Sequence, residues 1–329
     1  MKKYINITGI LLTLCLCFMS CSDDNNNTTM LKNDCLKRSA GPNVAGLNIE
    51  FAYAMAVPCN TGRIVSAQVE ADIPGTEGTW MENNSYHTSR ETGADVPVLI
   101  GNPSVTTGSK TEVEFTVDTC AATLRYYYQI PEEARGKQVS FTFSAKSSAG
   151  ETASYKMGPY QISKMDIKKD ITLTRANCYI SIEDMAVYNA TQAADIPSKI
   201  DLVYLWRDIE GITFGHAFVS PAAGPQYLPN ITLPPGLTND TRIRKEYGIH
   251  DRHLATLDGD DAVQSGVFID DIDFETIKLD DMPDYALDLR KYSCLWIETH
   301  DGKYRAFIYV SRFANISGGT IHMKRYQMK

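Results

Sequence analysis

The chain is poor in the residues that most often announce a chemistry. Six histidines and three tryptophans are spread over 329 residues, and positive charge is short, with 32 lysines and arginines against 40 aspartates and glutamates. The net charge of −8 argues against nucleic acid as a partner, because such affinity is built mostly from Lys and Arg contacts that an acidic surface opposes. No CxxC spacing suggests zinc or a redox dithiol, and no HExxH helix, Walker loop, dinucleotide fingerprint or nucleophile elbow occurs. No cofactor, metal set or catalytic residue is therefore expected. The carboxylates are too numerous for a glycosidase-type pair to be picked out by spacing. Long apolar runs are missing too: residues 10–19 are about half of the roughly 20 that a bilayer-spanning helix needs.

That short run has a different use. Lys2 and Lys3 precede it, and the small residue Ser20 stands immediately before Cys21, the order of a bacterial lipoprotein signal. Residues 1–20 read as a signal peptide and Cys21 as the lipidated residue, whose acyl chains supply the two membrane signals that stable anchoring requires. The polar stretch behind it, Ser22-Asp23-Asp24-Asn25-Asn26-Asn27-Thr28-Thr29, has nothing apolar to bury, so residues 21–34 read as a solvated tether. Its reach as a coil is on the order of 20 Å. The acidic pair resembles the export signal that sends Bacteroidetes lipoproteins to the outer face of the outer membrane. The expected address is the outer membrane, lipid-anchored and exposed at the cell surface.

Removing the signal and acylating Cys21 leaves Cys35, Cys59, Cys120, Cys178 and Cys294, an odd number. The candidate disulfides are Cys59 with Cys120 and Cys178 with Cys294; each could equally be a buried small hydrophobe. Residues 35–165 alternate apolar and polar in short stretches punctuated by turns, as in Ile64-Val65-Ser66-Ala67-Gln68-Val69, and this predicts an immunoglobulin-like β-sandwich. The polar stretch Met165-Asp166-Ile167-Lys168-Lys169-Asp170 reads as an exposed boundary. Residues 166–329 then read as a β-dominated α+β domain, closed by a hairpin at His300-Asp301-Gly302-Lys303 and a last strand whose basic end, Lys324-Arg325-Tyr326, reads as a solvated face. Residues 220–261 form a Pro- and Gly-rich insertion too long for an ordinary connection, and so a candidate functional loop.

Candidate ligand-binding residues are Trp80, Tyr227, His250 and His253. Ile249-His250-Asp251-Arg252-His253 places two imidazoles three apart, which on a helix would share a face and reach a metal; the plain alternative is an exposed charged turn. His216, in an apolar strand, reads as a satisfied core histidine. The acidic runs at 258–261 and 270–273 lack EF-hand spacing and read as solvated loops. Trp206 and Trp296 fall on core positions, whereas Trp80, ahead of Met81-Glu82-Asn83-Asn84, lies in a turn-rich segment and is free to bind. Aromatic faces beside Asn and Asp suit sugars, whose C–H faces stack while their hydroxyls need polar partners. The leading expectation is non-catalytic ligand capture or adhesion with a glycan as partner. The alternatives are a structural envelope or interaction protein, and a haem or metal binder.

Several segments carry a resemblance. Thr123-Leu124-Arg125-Tyr126-Tyr127-Tyr128 with Ile130-Pro131-Glu132-Glu133-Ala134-Arg135-Gly136-Lys137, Cys178-Tyr179-Ile180-Ser181-Ile182, Lys199-Ile200-Asp201-Leu202-Val203-Tyr204-Leu205 and Glu298-Thr299-His300-Asp301-Gly302-Lys303-Tyr304-Arg305 look like a family of two-domain Bacteroidetes surface lipoproteins of unknown function. The likeness covers nearly the whole mature chain and implies the two-domain architecture and the surface address, with no catalytic residues to carry over. The DGKY-type closing hairpin also resembles outer-membrane haemophores of that phylum, and this implies haem iron held between two histidines.

Thioether attachment needs the sulfur of Cys21, so Cys21→Ala should abolish labelling by a metabolic fatty acid and move the protein out of the membrane fraction. Retained label in the variant would remove the lipoprotein reading.

Overall fold

The computed structural model describes residues 30–255, 266–314 and 316–328. Cys21, the signal, most of the tether and the acidic run at 258–261 lie outside the described residues. Eleven strands make up the N-terminal half: β1 (Lys32–Lys37), β2 (Asn48–Ala56), β3 (Ile64–Ala71), β4 (Trp80–Met81), β5 (Asn84–Thr88), β6 (Asp95–Leu99), β7 (Val105–Thr107), β8 (Lys110–Glu114), β9 (Ala121–Gln129), β10 (Gln138–Ser147) and β11 (Thr152–Gln161). They form a four-stranded sheet in the order β1-β2-β9-β4, a five-stranded sheet β11-β10-β3-β8-β7 and a hairpin β5-β6.

Alternation decides which side chains fill the space between the two sheets. Ile49, Phe51, Tyr53 and Met55 of β2, Leu124, Tyr126 and Tyr128 of β9, and Val139, Phe141 and Phe143 of β10 all point inward and are buried. Their rings interlock, Phe51 lying 4.8 Å from Phe141 and 5.2 Å edge-on to Phe143. Each such side chain stabilises the sandwich by about 1.5–3 kcal/mol relative to exposure. Cys59 and Cys120 are joined in a disulfide, with a sequence separation of 61. In the chain-entropy account, a loop of that length is worth about 4 kcal/mol against the unfolded state.

The C-terminal half contains β12 (Met165–Leu173), β13 (Tyr179–Ser181), β14 (Ala186–Tyr188), β15 (Leu202–Ile209), β16 (Ile212–Val219), β17 (Arg242–Tyr247), β18 (Tyr285–Leu289), β19 (Ser293–Glu298), β20 (Tyr304–Phe313) and β21 (Gly319–Gln327). Two five-stranded antiparallel sheets result, β12-β21-β20-β19-β17 and β14-β13-β15-β16-β18. The facing sides share one core that includes Leu202, Phe218, Ala306, Ile308, Ile321 and Met323. Among the described residues of this half, α-helix occurs at Ala190–Asp195 and Asp271–Thr276, each opened by a capping box. The protein is mainly β, with two sandwich-like regions of antiparallel sheets.

A third layer covers the outer side of the β12-β21-β20-β19-β17 sheet. Leu254, Ile269, Phe274 and Leu279 pack there on Cys294, Trp296, Phe307, Tyr309 and Tyr326. This layer explains two departures from the sequence reading. Cys178 and Cys294 are buried free thiols, not a disulfide, because Cys178 belongs to the core between the sheets and Cys294 to the layer on the far face. Burial pushes their thiols up to about 11 and about 12. The basic end of β21 is not solvated either: Lys324 is 0% exposed and Tyr326 is 2% exposed.

Lys324 is held by a fully enclosed set of partners. Its Nζ donates to Asp251 Oδ2 at 2.7 Å and to the Ile269 carbonyl at 2.8 Å. Asp251, also 0% exposed, accepts further backbone bonds from His253, Leu254 and Ile269. Both charges are thereby satisfied.

The junction between the halves is mixed: Met165 is buried, while Lys168, Lys169 and Asp170 are exposed. Residues 165–170 open β12, which pairs with β21 from Met165↔Tyr326 onward, and Met165 is 0% exposed. Arg135, beyond the short turn of helix ended by Gly136 at φ +71°, donates to the Met165 carbonyl at 2.6 Å and pairs with Asp166, which also binds Arg325. Ser163 and the Lys164 N–H reach Asp271, and Val44 of the first half is buried in the third layer of the second.

Removing one partner of a buried pair strands the other charge. Lys324→Met should cost about 3–5 kcal/mol in urea unfolding, and adding Asp251→Asn should recover a measurable part of the loss. Equal losses for the single and double variants would show that the ion pair is not what holds the third layer.

Candidate functional site

On the outside of the β1-β2-β9-β4 sheet, side chains are small. Ala52, Ala54 and Ala56 of β2 stand opposite Arg125, Thr123 and Ala121 of β9. The hairpin β5-β6 rises along one side of this floor, fastened where Thr123 N–H donates to Ser85 Oγ at 3.0 Å. Lys32 and Asp34 of β1 form the other side. The groove between them has a volume of about 460 Å³.

Its hairpin side continues into an aromatic and charged cluster. β4 is only two residues long, and its pairing Trp80↔Tyr127 sets the two rings on one face of the sheet. They stack at 5.0 Å with 13° between planes, and Trp80 remains 45% exposed. Tyr127 donates its hydroxyl to Glu82 Oε1 at 2.8 Å, and burial together with that carboxylate pushes the phenol up. Glu82 is more than nine-tenths buried, yet its Oε2 has no hydrogen-bond partner among the described residues. Arg125 lies 3.7 Å over the Tyr86 ring and pairs with Asp95. An open aromatic face, an unused buried carboxylate oxygen and a stacked guanidinium thus lie within one patch. Its open indole face can stack a flat ligand, while Glu82 Oε2 lies enclosed beneath the cluster.

The other sequence candidates lie elsewhere and have structural partners. Tyr227 stacks on Tyr285 at 3.7 Å and packs against the core of the second half. His250 Nδ1 is 3.0 Å from the Tyr309 hydroxyl, and its ring meets Tyr292 edge-on. His253 packs on Phe268, with its Nδ1 buried, and burial beside Lys324 drives its pKa down. The segment carrying both histidines is a turn, not a helix, so they do not form the metal pair that a helix would have made. Among the described residues, no group of three His, Cys, Asp or Glu could hold a metal ion. His216 is half-buried, its Nδ1 2.8 Å from the Tyr204 hydroxyl and its ring stacked on Phe313 at 4.1 Å.

The described part of the insertion that the sequence marks as a candidate functional loop packs onto the second half. Its first part lays Ala223, Tyr227, Ile231 and Leu237 on the core of the second sandwich, and its middle is β17, paired with β19. Sequence reasoning also passed over Glu82, Tyr127 and Arg125, since nothing marks their neighbourhood until β4 pairs with β9. It passed over Asp201 as well, a 4%-exposed carboxyl lining a cavity of about 190 Å³ with Glu183, Asn239, His300 and Asp301. Burial, with Asp301 and Glu183 nearby, pushes Asp201 up to about 7.

The chain matches two family descriptions, DUF4466 over residues 28–162 and DUF8576 over residues 163–328, both domains of unknown function. The crystal structure of a DUF4466 family protein from Parabacteroides merdae is 45% identical, with a TM-score of 0.82 over 91% of this chain and 99% of that one. The major pilin subunit of Bacillus cereus overlaps 44% of this chain and 47% of its own at 10% identity and a TM-score of 0.28, too low to carry an argument. No curated protein matches.

Because Asp201 keeps its proton in the fold up to about 7 and the unfolded carboxyl loses it near 4, the folded state binds the extra proton between those values. Its contribution should therefore fall as pH rises through that window. Asp201→Asn should match the unaltered chain near pH 4 and exceed it at pH 8, by on the order of 3 kcal/mol. A pH-independent difference in urea midpoints would show that Asp201 is ionised in the fold.

Proposed function

The chain belongs to the DUF4466 family, and on that premise we propose that it is a cell-surface lipoprotein that captures a glycan on the Trp80 and Tyr127 platform. One observation carries this reading: Trp80 keeps 45% of its surface open while stacked on Tyr127, beside a buried Glu82 oxygen with no partner. A large aromatic side chain left open costs hydration, and an unpaired buried carboxylate oxygen costs more. A sugar ring stacked on the indole would relieve the first cost, and a side-chain shift that opens Glu82 Oε2 to a ring hydroxyl would relieve the second. In this reading the N-terminal half is an immunoglobulin-like module, and Cys21 anchors it to the outer membrane with the groove turned to the medium. Catalysis is not needed.

Ligand binding to the native state raises the melting temperature by mass action. Across a panel of neutral polysaccharides, at least one should raise the melting temperature of the unaltered protein. Trp80→Ala should abolish that rise, with its own melting temperature within a degree or two of the unaltered chain. A panel without any shift, or a shift that survives both Trp80→Ala and Tyr127→Ala, would sink the proposal.

A further inference from the structure

Eight of the fourteen arginines lie within ion-pair distance of a carboxylate among the described residues, and six do not. Arg125, Arg135, Arg242, Arg244, Arg305 and Arg325 each lie within ion-pair distance of a carboxylate. Arg175, Arg207 and Arg312 do not: none of the three has an ion pair among the described residues. Arg207 gives Nη1 to the Trp206 carbonyl and Nε to the Pro229 carbonyl, and Arg312 gives Nε to Thr320 Oγ1, contacts that orient a guanidinium without cancelling its charge.

These arginines converge on one end of the second sandwich. The β13-β15 ladder stops at Tyr179↔Val203, while β15 continues beside β16 as far as Ile209↔Ile212. Beyond Tyr204, therefore, β15 has a neighbour on one side only. The gap is a cavity of about 370 Å³ whose lining includes Arg175, Trp206, Arg207, Ile231 and Ser317. A second cavity, about 470 Å³, shares Arg175 and Ser317 with the first and adds Arg312, Thr172 and Thr174. Neither has a single Asp or Glu in its lining, in a chain whose acidic residues outnumber its basic ones by 40 to 32. Three guanidinium groups thus line a recess with no carboxylate among its lining residues, where water screens them less than on an open surface.

We propose that this double cleft binds an acidic saccharide, with the carboxylate or sulfate group held between Arg175 and Arg312 and the sugar ring against Trp206. Guanidinium groups match the planar two-oxygen geometry of such anions. Trp206, half-buried in the wall, supplies the apolar face that distinguishes a saccharide from a bare anion, and the Thr172, Thr174 and Ser317 side chains suit ring hydroxyls. The site is on the other half of the chain from the Trp80 platform and stands or falls separately from it.

Calorimetric titration of the full-length chain tests this with four probes: an oligogalacturonate, its methyl ester, a chondroitin sulfate oligosaccharide and inorganic sulfate. At least one of the two acidic oligosaccharides should bind, at least tenfold more tightly than either the ester or inorganic sulfate, and more weakly as salt is raised. Arg175→Ala with Arg312→Ala should weaken that binding at least tenfold at an unchanged melting temperature, the corresponding double Lys variant should keep part of it, and Trp80→Ala should leave it intact. Preference for the oligogalacturonate or for the chondroitin sulfate identifies the anion as carboxylate or sulfate. The proposal is overturned if neither acidic oligosaccharide binds, if the ester or inorganic sulfate binds as tightly, or if the double Ala variant binds like the unaltered chain.

Discussion

A lysine ammonium sealed from water, with one aspartate and one carbonyl for company, fixes the layout of the C-terminal half. Lys324 lies on the outer face of a sheet whose inner face is already committed to a core, so something must come from elsewhere in the chain to meet it. Asp251 does, and the backbone bonds to its two oxygens shape the turn around it. Burial drives the ammonium below its ordinary value while Asp251 pulls it back. The pair adds less net stability than its geometry suggests, because both ions gave up hydration, but its loss is expensive, and that asymmetry specifies one arrangement of the covering segment. With that segment in place, Leu254, Ile269 and Phe274 close over Trp296 and Phe307; without it, a second apolar face would open to solvent.

The same layer explains why the two halves are not independent modules in series. Val44, from the first half, is buried among residues of the third layer, and Met165, at the start of β12, lies in the same cluster. Arg135 then ties the first half to β12 through the Met165 carbonyl and the Asp166 carboxylate. The boundary stretch drawn from composition opens β12 and carries both kinds of residue. Lys168 and Lys169 do face outward, while Met165, Ile171 and Leu173 point into cores, and composition averages the two.

Period-2 alternation made β3, β10 and β16 legible, along with the closing hairpin of β19 and β20, because each has one clearly apolar face. What alternation does not reveal is whether the other face is covered. Lys324-Arg325-Tyr326 reads as a wet strand end until Asp251, Leu254, Ile269 and Phe274 are laid across it, and a sequence separation of 73 between Asp251 and Lys324 carries no local signal of the contact. Cys178 and Cys294 fail as a pair for a related reason. Each fits a buried strand, but their strands place them in different layers, a property of sheet order and not of spacing. In the candidate groove, Trp80 could be singled out because it follows a turn. Glu82, Tyr127 and Arg125 could not, since their proximity exists only once a two-residue strand pairs with β9.

The surplus of aromatic side chains shows what separates a structural ring from one left for binding. Tyr128 donates its hydroxyl to the Ile73 carbonyl, Tyr204 to the Gly318 carbonyl and Tyr326 to Glu275, so each buried ring has its polar atom answered and its faces packed. These are the marks of a core that tolerates polar tips by pairing them. Trp80 meets only half of that condition, packed on one side by Tyr127 and 45% exposed, next to a carboxylate oxygen with no hydrogen-bond partner among the described residues, although Tyr86 and Arg125 lie near the same carboxylate. An exposed ring alone is ordinary on protein surfaces, and an unpaired buried oxygen alone can be a local flaw. Found together on the outer face of the first sheet, beside a groove floored by alanine, they are the observations on which the glycan-capture proposal rests.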